Sequence, residues 1–195
     1  MAETPDRPHR TGHMAVDFII AACAIIISVA SLWVALRADQ TQEQLLKSTV
    51  WPYVQYDTSD ATATGGKHIL FEVRNAGVGP AIVRTIAVSY GEHYYGNLRE
   101  LMKACCDVVV HHNMLASTLH DTVIMAHDTV PFITVLPNKI DPASYNRIFA
   151  NRFNVKVQMC YCSVLGDCWY FDTLRGQLPT EVRRCPPAQQ PQYTT

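Results

Sequence analysis

The chain has 195 residues, 16 basic and 17 acidic, for a net charge of −1, and 48% of it is apolar. Charged residues make up only 17%, against about 25% in an ordinary soluble domain. A neutral chain lacks the accumulated Lys and Arg that phosphate-backbone binding needs, so nucleic acid is excluded as a partner. One long apolar segment also argues against a multi-pass transporter.

In chain order, residues 1–14 are polar, with two prolines, and read as a disordered tail. Residues 15–37 read as a transmembrane helix. Phe18 to Leu36 is 19 consecutive residues without a charge. As a helix at ~1.5 Å per residue it would span about 28 Å, close to a bilayer's hydrocarbon thickness. Asp17 and Arg37 mark its ends, and Trp33 sits where an indole would meet headgroups. Ser28-Val-Ala30 imitates a signal-peptidase site, and Ile20-Ala-Ala-Cys23 imitates a lipobox. The apolar run continues past both, so an uncleaved anchor in lipid through residues 18–36 is the expectation. Asp17, Ala21, Ala24, Ser28, Ser31 and Ala35 repeat at 4,3 spacing. This stripe of small residues on one face points to helix self-association and a homo-oligomer. The flanking positive charges nearly tie, with Arg7 and Arg10 before the helix and Arg37 and Lys47 after it. They lean to a cytoplasmic N-terminus and a periplasmic domain at the inner membrane.

Residues 38–50 are rich in helix formers and extend the helix as a stalk that Pro52 terminates. Residues 51–178 read as the folded domain. Strand patterns fall at 51–58, 68–75, 81–90, 129–136, 153–162 and 168–173. In the third, Ile82, Arg84, Ile86 and Val88 share a face. In the fifth, Phe153, Val155, Val157, Met159 and Tyr161 point one way, and Cys160 and Cys162 point to the polar side. Helices are expected at Asn97–Cys106, and at Pro142–Asn151 behind an Asp141 cap. Short alternating strands with turns predict a mainly β fold, a β-sandwich with one or two short helices. Residues 179–195, rich in Pro and Gln, read as a disordered C-terminal tail.

Asn75-Ala-Gly-Val-Gly-Pro-Ala81 is the strongest local motif. Gly77 and Gly79 would permit positive φ, and Pro80 would fix entry into the next strand. The motif leads into a strand pattern, without Lys-Ser/Thr, so Asn75, Gly77, Gly79 and Pro80 read as a structural turn and not a phosphate cradle. EVRNAGVGPAIV resembles a corner of bacterial Ig-like β-sandwich domains. Together with the anchor, the stalk ending in STVWPYV and the terminal CYCSVLGDCW, it resembles a loose group of uncharacterised proteobacterial single-pass membrane proteins. That resemblance implies an Ig-like fold and no catalytic residue.

Of seven cysteines, Cys23 lies in the anchor; Cys105, Cys106, Cys160, Cys162, Cys168 and Cys185 allow 15 pairings. Cys162 and Cys168 flank a five-residue loop and form the expected cross-strand disulfide, which an oxidising compartment would favour. The rival chemistry is a metal site. Cys160, Cys162 and Cys168 would give three thiolates to zinc, with a fourth ligand from His93, His111, His112, His120 or His127. Signatures of hydrolase, metalloprotease, P-loop and dinucleotide-binding chemistry are missing from the sequence. The expectation is therefore a membrane-anchored, non-catalytic interaction or structural module of the bacterial envelope, with an unknown protein partner and no cofactor. The alternative is a zinc- or thiol-dependent envelope enzyme using Cys160, Cys162, Cys168 and a histidine.

Overall fold

The computed structural model describes residues 14–60, 67–110 and 114–194. Of the stretch 1–14 expected to be a tail, residues 1–13 lie outside the described residues, as do His111 and His112, and Met14 already belongs to a helix. Two units are distinguished, one ending at Leu46 and one beginning at Lys47.

The first unit is helical. Helix α1 runs over Met14–Thr49, so the expected anchor and stalk form one uninterrupted element. It lacks internal Pro and Gly, which would break it. It is long and apolar enough to cross a membrane. Its large apolar side chains are exposed, Ile26 by 68% and Trp33 by 61%. A continuous apolar surface of this kind is unstable in water and needs a cover.

The second unit is a mostly antiparallel β region with a few short helices. Its strands are β1 (Val54–Ser59), β2 (Ile69–Asn75), β3 (Ala81–Tyr90), β4 (His93–Tyr95), β5 (Met114–Ala116), β6 (Val123–Ile124), β7 (Thr129–Val135), β8 (Val155–Cys162), β9 (Cys168–Asp172) and β10 (Gln177–Val182). One sheet has the order β1-β2-β7-β5; the other has the order β10-β9-β8-β3-β4, with β6 also paired to β3. Period-2 patterning sets which faces are buried. Ile69, Phe71, Val73 and Ile133 from the first sheet join Ile86, Val157, Met159 and Tyr161 from the second in one apolar cluster.

Two helices close that cluster. In α2 (Leu98–Cys106) the Asn97 side chain accepts a hydrogen bond from the Glu100 N–H. Leu101 and Met102 are buried on its inner face. In α3 (Pro142–Asn151) the Asp141 carboxylate accepts from the Ser144 N–H at 2.9 Å. Pro at the first helical turn lacks only an N–H that would be unsatisfied there anyway.

Three details correct the sequence reading. Arg84 does not share a face with Ile86 and Val88. The β3–β8 register shifts between Val83 and Thr85, and this bulge turns both Val83 and Ile86 into the core while Arg84 is exposed. Phe153 lies in a 3-10 turn ahead of β8 and is 59% exposed. The Arg152 guanidinium sits 4.3 Å from its ring centroid. Third, residues 179–194 are not a disordered tail. They supply most of β10, and Tyr193 is fully buried in the core against Phe132. Composition predicts disorder when no apolar group can offset the entropy of ordering; here a single aromatic ring and a cysteine do so.

The Asn75 corner is built by one side chain. Asn75 is fully buried. Its Oδ1 accepts from the N–H groups of Tyr53 and Gly77, and its Nδ2 donates to the carbonyls of Gly79 and Ile124. Gly77 and Gly79 are not among the positive-φ glycines. They are required by close approach instead. A Cβ on Gly77 would lie 2.4 Å from the Trp51 carbonyl oxygen, and one on Gly79 would lie 2.0 Å from that of Val50.

Candidate functional site

The outer face of the larger sheet carries the chemistry. Along β8, Gln158, Cys160 and Cys162 alternate with the core residues Val157, Met159 and Tyr161. Cys162 and Cys168 are directly opposed in the β8–β9 ladder. Their Cα atoms are 4.0 Å apart and their sulfurs lie at disulfide distance, 2.11 Å.

Cys160 finds a partner that its strand pattern could not reveal. Cys185, just after β10, brings its sulfur to 2.11 Å from that of Cys160, with Cα atoms 5.7 Å apart. The two pairs are adjacent, and the Cys162 and Cys185 sulfurs are 3.7 Å apart. The face expected to be polar is therefore covered. Cys160 is fully buried, and Cys162 and Cys168 are each 6% exposed. A third pair, Cys105 with Cys106, is also at disulfide distance in the last turn of α2.

The zinc alternative expects a histidine as fourth ligand. Among the described residues, the potential ligand atoms gathered within 4.8 Å of one another belong to Cys162, Cys168 and Cys185. His93 is on β4. His120 Nδ1 lies 3.0 Å from the Asp121 carboxylate, and the His127 N–H donates to the Asn75 carbonyl. The fourth sulfur beside Cys160, Cys162 and Cys168 is that of Cys185. Its signal in the sequence is parity: with Cys185, the segment from Cys160 onward holds an even number of cysteines.

Beyond Cys185 the chain crosses the sheet as a proline-rich strap. It ends where the Ile86 N–H donates to the Gln192 side chain, the Tyr193 N–H donates to the Ile86 carbonyl, and Thr194 pairs with Asn97. Between strap and sheet lies a cleft of about 700 Å³, lined by Glu92, Tyr94, Gln158, Tyr170, Arg175 and Gln190 among others. Asp172, only 1% exposed, forms part of its support. The Gln158 amide donates both to the Asp172 carboxylate, at 2.7 Å, and to the Tyr94 hydroxyl. Burial, then the Asp172 charge, raises the pKa of both Tyr94 and Tyr170 above the ordinary phenol value. Both phenols therefore stay protonated at neutral pH. Because Tyr94 accepts from Gln158, its own O–H proton is left for another acceptor.

Sequence reasoning missed Tyr94, Gln158 and Tyr170, since nothing local marks a cleft whose roof comes from the far end of the chain. No protein-family model, no curated protein and no solved structure matches this chain.

Proposed function

We propose that the protein is a membrane-anchored, non-catalytic interaction module of the bacterial cell envelope. In this reading α1 lies in lipid through residues 18–36 and self-associates through its small-residue stripe. The β region, an Ig-like sandwich, stands in the periplasm with its cysteines oxidised. The cleft beneath the strap receives the partner. The exposed apolar length of α1 supports the anchor.

The observation that carries the binding role is the cleft itself. Two neutral phenols and an amide, with one acidic side chain, Glu92, and one basic, Arg175, line it and present donors and acceptors without a dominant charge. Such a lining favours a polar segment of a protein over a polyanion. The balanced charge of residues 51–185, twelve basic and twelve acidic, agrees with capture by shape and hydrogen bonding.

Photo-crosslinking in intact cells tests this. A photoreactive residue at Tyr94 or Tyr170 should give a discrete protein adduct, and one at the exposed Leu178 should not. Adducts that are equal at all three positions, or missing at all three, would remove the cleft as the binding site.

A further inference from the structure

We infer that the reduced chain binds a single soft divalent metal ion, zinc by chemical class, through the thiolates of Cys160, Cys162, Cys168 and Cys185. Two disulfides and a four-thiolate metal centre are then alternative states of one sulfur cluster. This goes beyond the proposed function and concerns the chain before its thiols are oxidised.

The spacing supports it. Tetrahedral zinc holds sulfur at about 2.3 Å, which puts any two ligand sulfurs about 3.8 Å apart. Cys162 and Cys185, which are not bonded to each other, already sit 3.7 Å apart. The sulfurs of Cys162, Cys168 and Cys185 all lie within 4.8 Å of one another. The fourth, on Cys160, is held beside Cys185.

The fold fixes the ligands on separate supports. Cys160 and Cys162 are two apart on one strand and share a face. Cys168 faces Cys162 from the neighbouring strand. Cys185 closes the set from the segment after β10. Four ligands leave no open position, which is the arrangement of a structural centre and not a catalytic one. Cys160, Cys162 and Cys168 are buried and Cys185 is half-buried. A zinc tetrathiolate carries a net charge of −2, and Arg183 and Arg184 directly precede Cys185 in the chain, placing compensating charge nearby.

The interconversion balances. A phosphine reductant and one water per disulfide break each S–S bond, yielding two thiols and a phosphine oxide. Zn²⁺ then displaces four protons from four thiols. Two equivalents of a disulfide oxidant reverse this: each is reduced to two thiolates as one protein S–S bond re-forms, and the metal is released. The phosphine opens the Cys105–Cys106 pair as well, but both lie in the last turn of α2 and neither belongs to the gathered sulfurs, so they take no part.

The test uses the full chain in detergent, reduced by a phosphine under anaerobic conditions and titrated with Co²⁺ as the probe. The expected result is a single Co²⁺ per chain, with near-ultraviolet thiolate-to-cobalt charge transfer and tetrahedral visible bands, displaced by Zn²⁺. The Cys105→Ser/Cys106→Ser variant should bind as the parent does. Cys185→Ser should weaken binding by roughly tenfold or more, while Cys185→His, which keeps a fourth ligand but cannot form the Cys160 disulfide, should retain it. No stoichiometric cobalt uptake by the reduced parent would overturn the inference. So would uptake that depends on Cys105 and Cys106, or uptake unchanged in Cys185→Ser.

Discussion

The buried N–H of Val54 donates a 3.1 Å hydrogen bond to the hydroxyl of Tyr161, 107 positions later in the chain. This bond joins the first strand of the smaller sheet to the central strand of the larger one. Both residues are fully buried, and the Trp169 ring stacks on Tyr161 at 5.9 Å.

Tyr161→Phe keeps the ring and leaves the Val54 N–H unpaired. The expected loss is about 1–3 kcal/mol, the usual cost of a buried unsatisfied donor. Denaturant melts of the full chain in detergent measure it, and a loss near zero would mean that water reaches Val54. Burial also pushes the Tyr161 pKa up to about 12, with the Val54 bond partly offsetting this. A free phenol in the unfolded chain titrates near 10. The contribution of Tyr161 is therefore intact below about pH 10 and is lost as the pH rises toward 12. Tyr56 and Tyr193 are shifted the same way by burial, so the parent should lose stability in alkali and Tyr161→Phe should lose less of it.

The Asn75 corner makes a sharper prediction. Asn75→Ala strands four backbone groups at once, and the expected cost is on the order of 3 kcal/mol or more. Asn75→Asp should fare no better, because a carboxylate cannot donate to the Gly79 and Ile124 carbonyls. Gly79→Ala should also abolish native packing, since its Cβ would overlap the Val50 backbone. A Gly79→Ala chain that melts like the parent would contradict this account of the corner.

Much of this was legible in the sequence, for physical reasons. β2 and the core half of β8 follow strict alternation, and α2 and α3 carry capping residues that act within four positions. Those are local signals. Arg84 was misplaced because a bulge costs one residue of register and leaves no trace in composition. Phe153 looked like strand because it continues the apolar alternation of β8, although its ring packs under Arg152. Cys160 and Cys162 read as outward-facing, and along the strand they are. Their burial comes from Cys185 and the strap, more than twenty residues away. The cleft was illegible for the same reason.

Tyr193 tests the strap. Tyr193→Ala should cost about 3–5 kcal/mol, as removal of a fully buried aromatic side chain does. Its hydroxyl is buried without a hydrogen-bond partner among the described residues, so Tyr193→Phe should be neutral or stabilising. Equilibrium melts distinguish the two variants. If Tyr193→Ala matches the parent, the C-terminal segment does not dock.

For the anchor, Ala24→Leu with Ser28→Leu places bulk on the stripe, next to the bond by which the Ser28 hydroxyl donates to the Ala24 carbonyl. Self-association in a membrane two-hybrid assay should fall, because close helix approach needs small side chains. Unchanged association would remove the stripe as a contact.

The central claim is that α1 tethers the β region in an oxidising compartment beyond the cytoplasmic membrane. Reporter fusions after Thr195 test it most directly. An exported phosphatase at that position should be active and a cytoplasm-only fluorescent reporter dark. A fluorescent C-terminal fusion with an inactive phosphatase would contradict the account.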